Sequence, residues 1–231
     1  MNISIIGVDG NMRTVEVSKA MEDHWRIPMN HAQTILDQIN SGMYKKWFDG
    51  KKDLVCMDFG ANVGLVSLYM SQFSKKTYCI EPTPSHYELA KELLFANCVE
   101  ANVSLSDFAL TSHDEIVTFA TGHATENKVT IPSGYGSVKI EVQGKPLSYF
   151  IDKAMGIVDF CKIDIESGEM LALTVSELKK VHGRVNTFFV EVHPGYNGGM
   201  DGNREELVKR FTEAGYRVET EDYQTIVAYE S

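Results

Sequence analysis

Short apolar runs alternate with stretches of helical apolar spacing from residue 53 onward, and this alternation constrains the chain more than any other feature. "LVCMDF" predicts a strand, "GLVSLYMSQF" a helix, "KTYCIE" a strand, and "PSHYELAKELLFANC" a helix with Ser85 as N-cap behind Pro84. "NVSLSDFAL" predicts a third strand, "VDFCKIDIE" a fourth, "GEMLALTVSELKKV" a helix and "VNTFFVEVHP" a fifth strand. Strands separated by helices of this length need crossover connections, which means a parallel sheet with helices on both faces. The end of the chain breaks the rule. "YRVETEDYQTIVAYE" holds two strands joined by a turn too short for a helix, so that pair is antiparallel. The expected fold class is α/β, a doubly wound, Rossmann-like seven-stranded sheet with an antiparallel C-terminal hairpin.

Residues 1–50 predict a small N-terminal cap. It contains a hairpin in "ISIIGVDGNMRTVEV", turning at Asp9-Gly10, and a helix in "NHAQTILDQINSG". Tyr44, Trp47 and Phe48 are expected to pack this cap on the sheet. Residues 51–231 form the main domain, with an insertion at about 111–146. There "EIVTFA" and "SVKIEV" read as strands around a loop, 121–137, rich in Gly, Thr and Ser. The formal net charge of −10 opposes attraction to phosphate backbones or anionic lipid, so duplex nucleic acid is not an expected partner. No run of about 18 apolar residues predicts a membrane span, and the N-terminus lacks a basic start and apolar core, so a cytoplasmic location is expected. The cysteines at 56, 79, 98 and 161 show no C-x-x-C spacing and read as reduced core thiols.

In such a sheet, ligands sit at the carboxyl ends of the strands. The first strand-to-helix turn there is "VCMDFGANVG", 55–64. Gly60 and Gly64 remove side chains where a ligand touches main chain, and the amides around Ala61 and Asn62 can meet an anionic group. The turn does not match G-x-G-x-x-G, which disfavours a dinucleotide and with it a nicotinamide oxidoreductase. Glu81 ends the second strand, where a carboxylate can accept both hydroxyls of a ribose. Asp58 is placed to meet an ammonium, directly or through water; its alternative role is to cap the turn. Asp107, just past the third strand, and the backbone at Phe108 are expected beside an adenine. These residues together predict a nucleoside-type ligand.

Four pieces of the chain resemble the FkbM-type S-adenosylmethionine-dependent methyltransferases: 55–64, "EPTP" at 81–84 with Pro82, "CKIDIESGE" at 161–169 and "VEVH" at 190–193. The match runs over roughly 44–195, in order and in spacing. It departs at Ser167, where the family commonly has Gly. The resemblance implies the class I methyltransferase fold, with its antiparallel terminal hairpin, and S-adenosylmethionine as cofactor. It also implies O-methylation of a sugar, a glycan or another small polar acceptor. The alternatives are an RNA or protein methyltransferase, and a module that binds the nucleoside cofactor without catalysis.

Lys162, Asp164 and Glu166 alternate, which places them on one face of the fourth strand, with Asp164 at its carboxyl end. Glu191 and His193 reach the end of the fifth. Asp164, Glu191 and His193 are therefore the candidate catalytic residues, and a base among them would take a hydroxyl proton without a metal. The alternative is a divalent ion such as Mg²⁺ held by the same groups. Ser167 is expected to cap the following helix. Glu169 reads as structural, an acid in that helix's first turn.

Overall fold

The computed structural model describes residues 2–6, 12–25, 32–121, 127–129, 138–194 and 199–230. The chain divides into two compact units: 1–107 with 123–125, and 108–122 with 126–231.

The first unit opens with β1 (Asn2–Ile6) and β2 (Met12–Glu16), an antiparallel pair in which Ile6 faces Met12. The Asp9-Gly10 turn between them lies outside the described residues. Helices α1 (Lys19–Trp25), α2 (Ala32–Asn40) and α3 (Lys45–Phe48) follow. Then come β3 (Leu54–Phe59), α4 (Leu65–Ser71), β4 (Ser74–Ile80), α5 (Pro84–Ala96) and β5 (Val103–Ser106). The β3 strand is buried along nearly its whole length and pairs in parallel with β4, as does β4 with β5. A strand covered on both faces has no room for alternating polar residues, which is why "LVCMDF" is almost wholly apolar. Tyr44, Trp47 and Phe48 are buried; Phe48 packs on Tyr69 of α4 and on Phe73, its ring centroids 5.7 and 4.9 Å away. The start of α5 differs from expectation. Thr83 is the N-cap and Pro84 the first helical residue, where a missing N–H costs nothing.

The second unit begins where the third predicted strand breaks. "NVSLSDFAL" is not one strand: β5 stops at Ser106, and β6 (Ala109–Thr111) belongs to another sheet. That sheet also holds β7 (Glu115–Thr121), β8 (Asn127–Val129) and β9 (Val138–Pro146), in the order β6-β9-β7-β8. Its β7/β9 and β7/β8 pairs are antiparallel, as the alternation in "EIVTFA" and "SVKIEV" predicts. Most of loop 121–137 lies outside the described residues. Next are α6 (Leu147–Lys153), β10 (Phe160–Ile163), α7 (Glu169–Ala172), α8 (Val175–Val181), β11 (Thr187–Glu191), α9 (Met200–Glu213), β12 (Arg217–Thr220) and β13 (Thr225–Tyr229). The helix predicted across 168–181 is two helices, because Thr174 leaves helical geometry and caps the second through the Glu177 N–H.

The strands β10 and β11 are parallel, whereas β13 runs antiparallel to both β11 and β12. Asp222 forms the hairpin turn, its Oδ1 accepting from the N–H groups of Gln224 and Thr225 at 2.8 and 2.7 Å. Phe188, Phe211 and Tyr216 pack together with centroids 5.2 to 5.6 Å apart, Tyr216 edge to face with both phenylalanines. The seven-stranded, mostly parallel sheet has the strand order β12-β13-β11-β10-β3-β4-β5. Cys56, Cys79 and Cys161 are buried free thiols, but Cys98 is exposed, so the core reading fails for it.

Candidate active site

In the first unit, the turn after β3 is pinned by main chain. The N–H groups of Gly60 and Ala61 both donate to the Ile80 carbonyl at 3.0 Å, and Gly64 N–H donates to Ala61 at 2.8 Å. Asn62 has φ 52°, and its side-chain oxygen accepts from the Val63 N–H at 2.8 Å. That local bond is what lets an asparagine hold a left-handed conformation. Gly64 has a reason of its own. Its φ is +84°, and a Cβ there would stand 3.1 Å from Ala90 Cβ and 3.3 Å from Ala90 Cα, so this glycine admits α5 against the turn.

Glu81 is buried, at 5% exposure, and both its oxygens are aimed by backbone donors. Oε2 accepts from Asn62 N–H and Oε1 from Thr83 N–H, each at 2.8 Å, while His86 Nδ1 stands 3.9 Å from Oε1. Burial pushes its carboxyl up to about 7, against the lowering effect of the Thr83 and Asn62 hydrogen bonds, and the nearby Asp58 charge adds to the rise. A carboxylate can accept at both oxygens, so the group fits a pair of vicinal hydroxyls. Asp58 is fully buried, its Oδ2 accepting from Ser67 Oγ at 2.7 Å. Pro82 is half-buried and Asp107 is exposed. Phe108 is half-buried in the second unit, its ring 5.8 Å from that of Tyr149 and 6.0 Å from Lys145 Nζ.

The second unit brings Asp164, Glu191 and His193 together: one donor atom from each lies within 4.8 Å of the others. Parallel pairing explains the meeting. Ile163 pairs with Val190, so Asp164 and Glu191 sit one step further along the two chains. The strand, however, ends at Ile163. Glu166 and Ser167 are in left-handed conformations, φ 52° and 78°, so Glu166 does not share a strand face with Lys162 and Asp164. The conformation at 167 gives a physical reason for glycine there. Ser167 does not cap α7, whose N-cap is Gly168; its Oγ donates to the Pro194 carbonyl at 3.0 Å.

Around His193 are groups the sequence reading left out of the site. Glu169 is fully buried, and its Oε1 accepts from Ile165 N–H at 2.9 Å and lies 3.1 Å from His193 Nδ1. Glu166 Oε2 is 3.8 Å from His193 Nε2. Lys162, buried, donates from Nζ to Asp164 Oδ2 at 3.0 Å. Asn203 of α9 donates from its amide to the His193 carbonyl at 2.8 Å. Burial acts to lower the His193 pKa, but the Glu169 hydrogen bond and the charges of Glu169, Asp164 and Glu166 outweigh it and push the ring up to about 9. Burial raises the Glu191 carboxyl, and the Asp164 charge raises it further.

The profile of the methyltransferase FkbM domain matches residues 58–218. The chain belongs to the FkbM methyltransferase family. An FkbM methyltransferase structure from Methylobacillus flagellatus KT superposes with a TM-score of 0.53 at 13% identity, covering 90% of this chain and 50% of the other. The family member therefore spans half the length of that relative. The precorrin-6y C5,15-methyltransferase of Geobacter metallireducens GS-15 superposes with a TM-score of 0.50 at 14% identity, over 83% of this chain and 88% of its own. Both likenesses are of fold, that of the class I S-adenosylmethionine-dependent methyltransferases. No curated protein sequence matches this FkbM member significantly. Among its described residues, no helix is long and apolar enough to cross a membrane.

Proposed function

We propose that this FkbM-family chain transfers a methyl group from S-adenosylmethionine to a hydroxyl oxygen of a sugar, a glycan or another small polar acceptor. When bound, the cofactor supplies a methyl already activated on a sulfonium. Glu81, its oxygens aimed by the Asn62 and Thr83 amides, would hold the ribose hydroxyls. Asp58 would act on the ammonium, Asp107 and the backbone at Phe108 on the adenine. Gly60, Ala61, Asn62, Gly64 and Pro82 would shape the walls of that pocket.

The observation that carries the oxygen specificity is the convergence of Asp164, Glu191 and His193 at adjacent strand ends. A neutral amine needs no deprotonation before it attacks a sulfonium methyl. An alcohol must lose a proton as it attacks, and a cluster of proton-accepting side chains serves that need. These three residues are the catalytic group in this reading.

The test is incubation of the purified chain with methyl-labelled S-adenosylmethionine and a panel of sugars, glycans and small alcohols, with products resolved by mass spectrometry. Methyl ethers are expected. Label found on nitrogen or carbon would overturn the hydroxyl assignment. Calorimetric titration with S-adenosylhomocysteine showing no heat would overturn the cofactor assignment.

A further inference from the structure

The carboxylates about His193 neither hydrogen-bond its Nε2 nor stand clear of it. Asp164 Oδ1 and Glu166 Oε2 are 3.8 Å from that nitrogen and Glu191 Oε1 is 4.0 Å away. Hydrogen-bonded N···O pairs are about 2.7 to 3.2 Å apart. Two donors bound side by side on an octahedral cation, at about 2.1 Å each, are roughly 3 Å apart, and donors on opposite sides over about 4 Å. The three distances from Nε2 lie between those limits, and one donor atom each of Asp164, Glu191 and His193 lies within 4.8 Å of the others, as donors around a common point do.

A second observation comes from behind the ring. Glu169 Oε1 takes the Nδ1 side of His193 at 3.1 Å, so Nε2 is turned toward Asp164 and Glu191, the orientation a metal-bound imidazole adopts. Glu169 is fully buried, and its Oε2 has no hydrogen-bond partner among the described residues. A buried carboxylate with an unmatched oxygen, aimed at the ring of the cluster, calls for positive charge on the ring's far side. Lys162 supplies some, but through Asp164 Oδ2 at 3.0 Å, and so leaves Oδ1 facing the centre. Four carboxylates, Asp164, Glu166, Glu169 and Glu191, surround the ring, and among the described residues Lys162 is the lysine that meets them.

We infer that Asp164 Oδ1, the Glu191 carboxylate and His193 Nε2 bind a divalent cation, with Glu169 as the residue that positions His193 for it. One imidazole and two carboxylates suit Mn²⁺ better than Mg²⁺, which prefers oxygen alone. Water or acceptor oxygens complete the shell. These side chains are also those of the proposed proton transfer, but cation binding does not depend on that reading, and its test uses neither cofactor nor acceptor.

The experiment is titration of the chelator-treated, dialysed full chain with MnCl₂, with free Mn²⁺ followed by electron paramagnetic resonance. One Mn²⁺ per chain is expected. Asp164→Asn and His193→Gln should each weaken binding at least about tenfold, and Glu169→Gln by about 10- to 100-fold. The exposed Glu205→Gln on α9 should match wild type. Mg²⁺ should displace Mn²⁺ only in large excess. Because a buried substitution can unfold the chain, the wild type alone supplies a second readout: spin-echo modulation from a coordinated ¹⁴N nucleus. No binding below millimolar Mn²⁺, equal binding in wild type and folded Asp164→Asn, or a bound ion without nitrogen modulation would each overturn the assignment.

Discussion

The two units hold their acids in opposite ways. In the first unit Glu81 is fixed by main chain, one backbone N–H on each oxygen, and the turn that supplies the Asn62 donor is itself tied to Ile80. In the second unit Asp164, Glu166 and Glu191 face one another and His193, and the bonds that order the cluster come largely from side chains: Lys162, Glu169 and Asn203. The first arrangement holds its two acceptor oxygens in one fixed orientation, as the proposed ribose contact requires. The second concentrates charge that a proton or a cation can relieve. Binding sites gain from rigidity, whereas a reacting centre gains from groups whose charge state is poised to change.

The contrast breaks most sharply in the second unit. Asp164→Asn or His193→Ala is expected to lower methyl transfer by about 10²- to 10⁴-fold while leaving S-adenosylhomocysteine affinity nearly unchanged. Labelled-methyl assays beside calorimetry measure both; full activity in both variants would remove the cluster from catalysis. In the first unit, Gly64→Val should cost stability rather than chemistry, about 2 to 4 kcal/mol by denaturant unfolding, from a strained φ and contact with Ala90. An unfolding curve superposable on wild type would show that α5 yields.

Glu81→Ala should weaken cofactor binding by about 1.5 to 3 kcal/mol, since it deletes the acceptor of two charged hydrogen bonds. Undiminished affinity would end the ribose assignment. The same group sets a pH dependence. Its folded pKa is about 7, above the usual carboxylate value, so the neutral form dominates below that pH and the unfolded chain ionises first. Ribose hydroxyls favour the ionised form, and affinity should therefore rise by up to about tenfold between pH 6 and 8. Stability should move the other way: the contribution of the neutral carboxyl is fully present below about pH 4.5 and is lost as pH rises through about 7. Flat affinity from pH 6 to 8 would show that Glu81 is ionised before the ligand arrives.

The smallest effect separates strain from bonding in the second unit. Ser167 holds φ 78° and a hydrogen bond to Pro194, so Ser167→Gly should exceed Ser167→Ala in stability by about 1 kcal/mol by thermal unfolding. Equal midpoints would mean that the left-handed backbone costs nothing there.

Strand and helix alternation, the terminal hairpin and the meeting of Asp164 with Glu191 and His193 were legible in the sequence because each depends on periodicity or strand order. The break at Asp107 and Phe108 was not. "NVSLSDFAL" is apolar enough for one strand, and only pairing partners far along the chain, Gly144 to Pro146, draw Ala109 to Thr111 into another sheet. Glu169 was read as a helix-start acid on its local position, which is right for the helix and silent about His193, 24 residues on. Its signal was the unusual density of acids in "DIESGE", which a surface helix start does not require. Gly64 was read as a ligand-facing glycine, but what a missing side chain makes room for depends on the neighbour, and Ala90 lies a helix away in sequence.

That pair has a bearing on how this chain can vary over evolutionary time. With a prospective Cβ at 64 only 3.1 Å from the Cβ of Ala90, and with φ at +84°, position 64 cannot enlarge while α5 stays where it is. A homologue with any side chain at position 64 would have to shift α5, whose N-cap Thr83 donates its amide to Glu81. Selection on the position of Glu81 thus reaches Ala90, which lies outside the turn, and a side chain at 64 should appear in descendants only together with a rearranged α5.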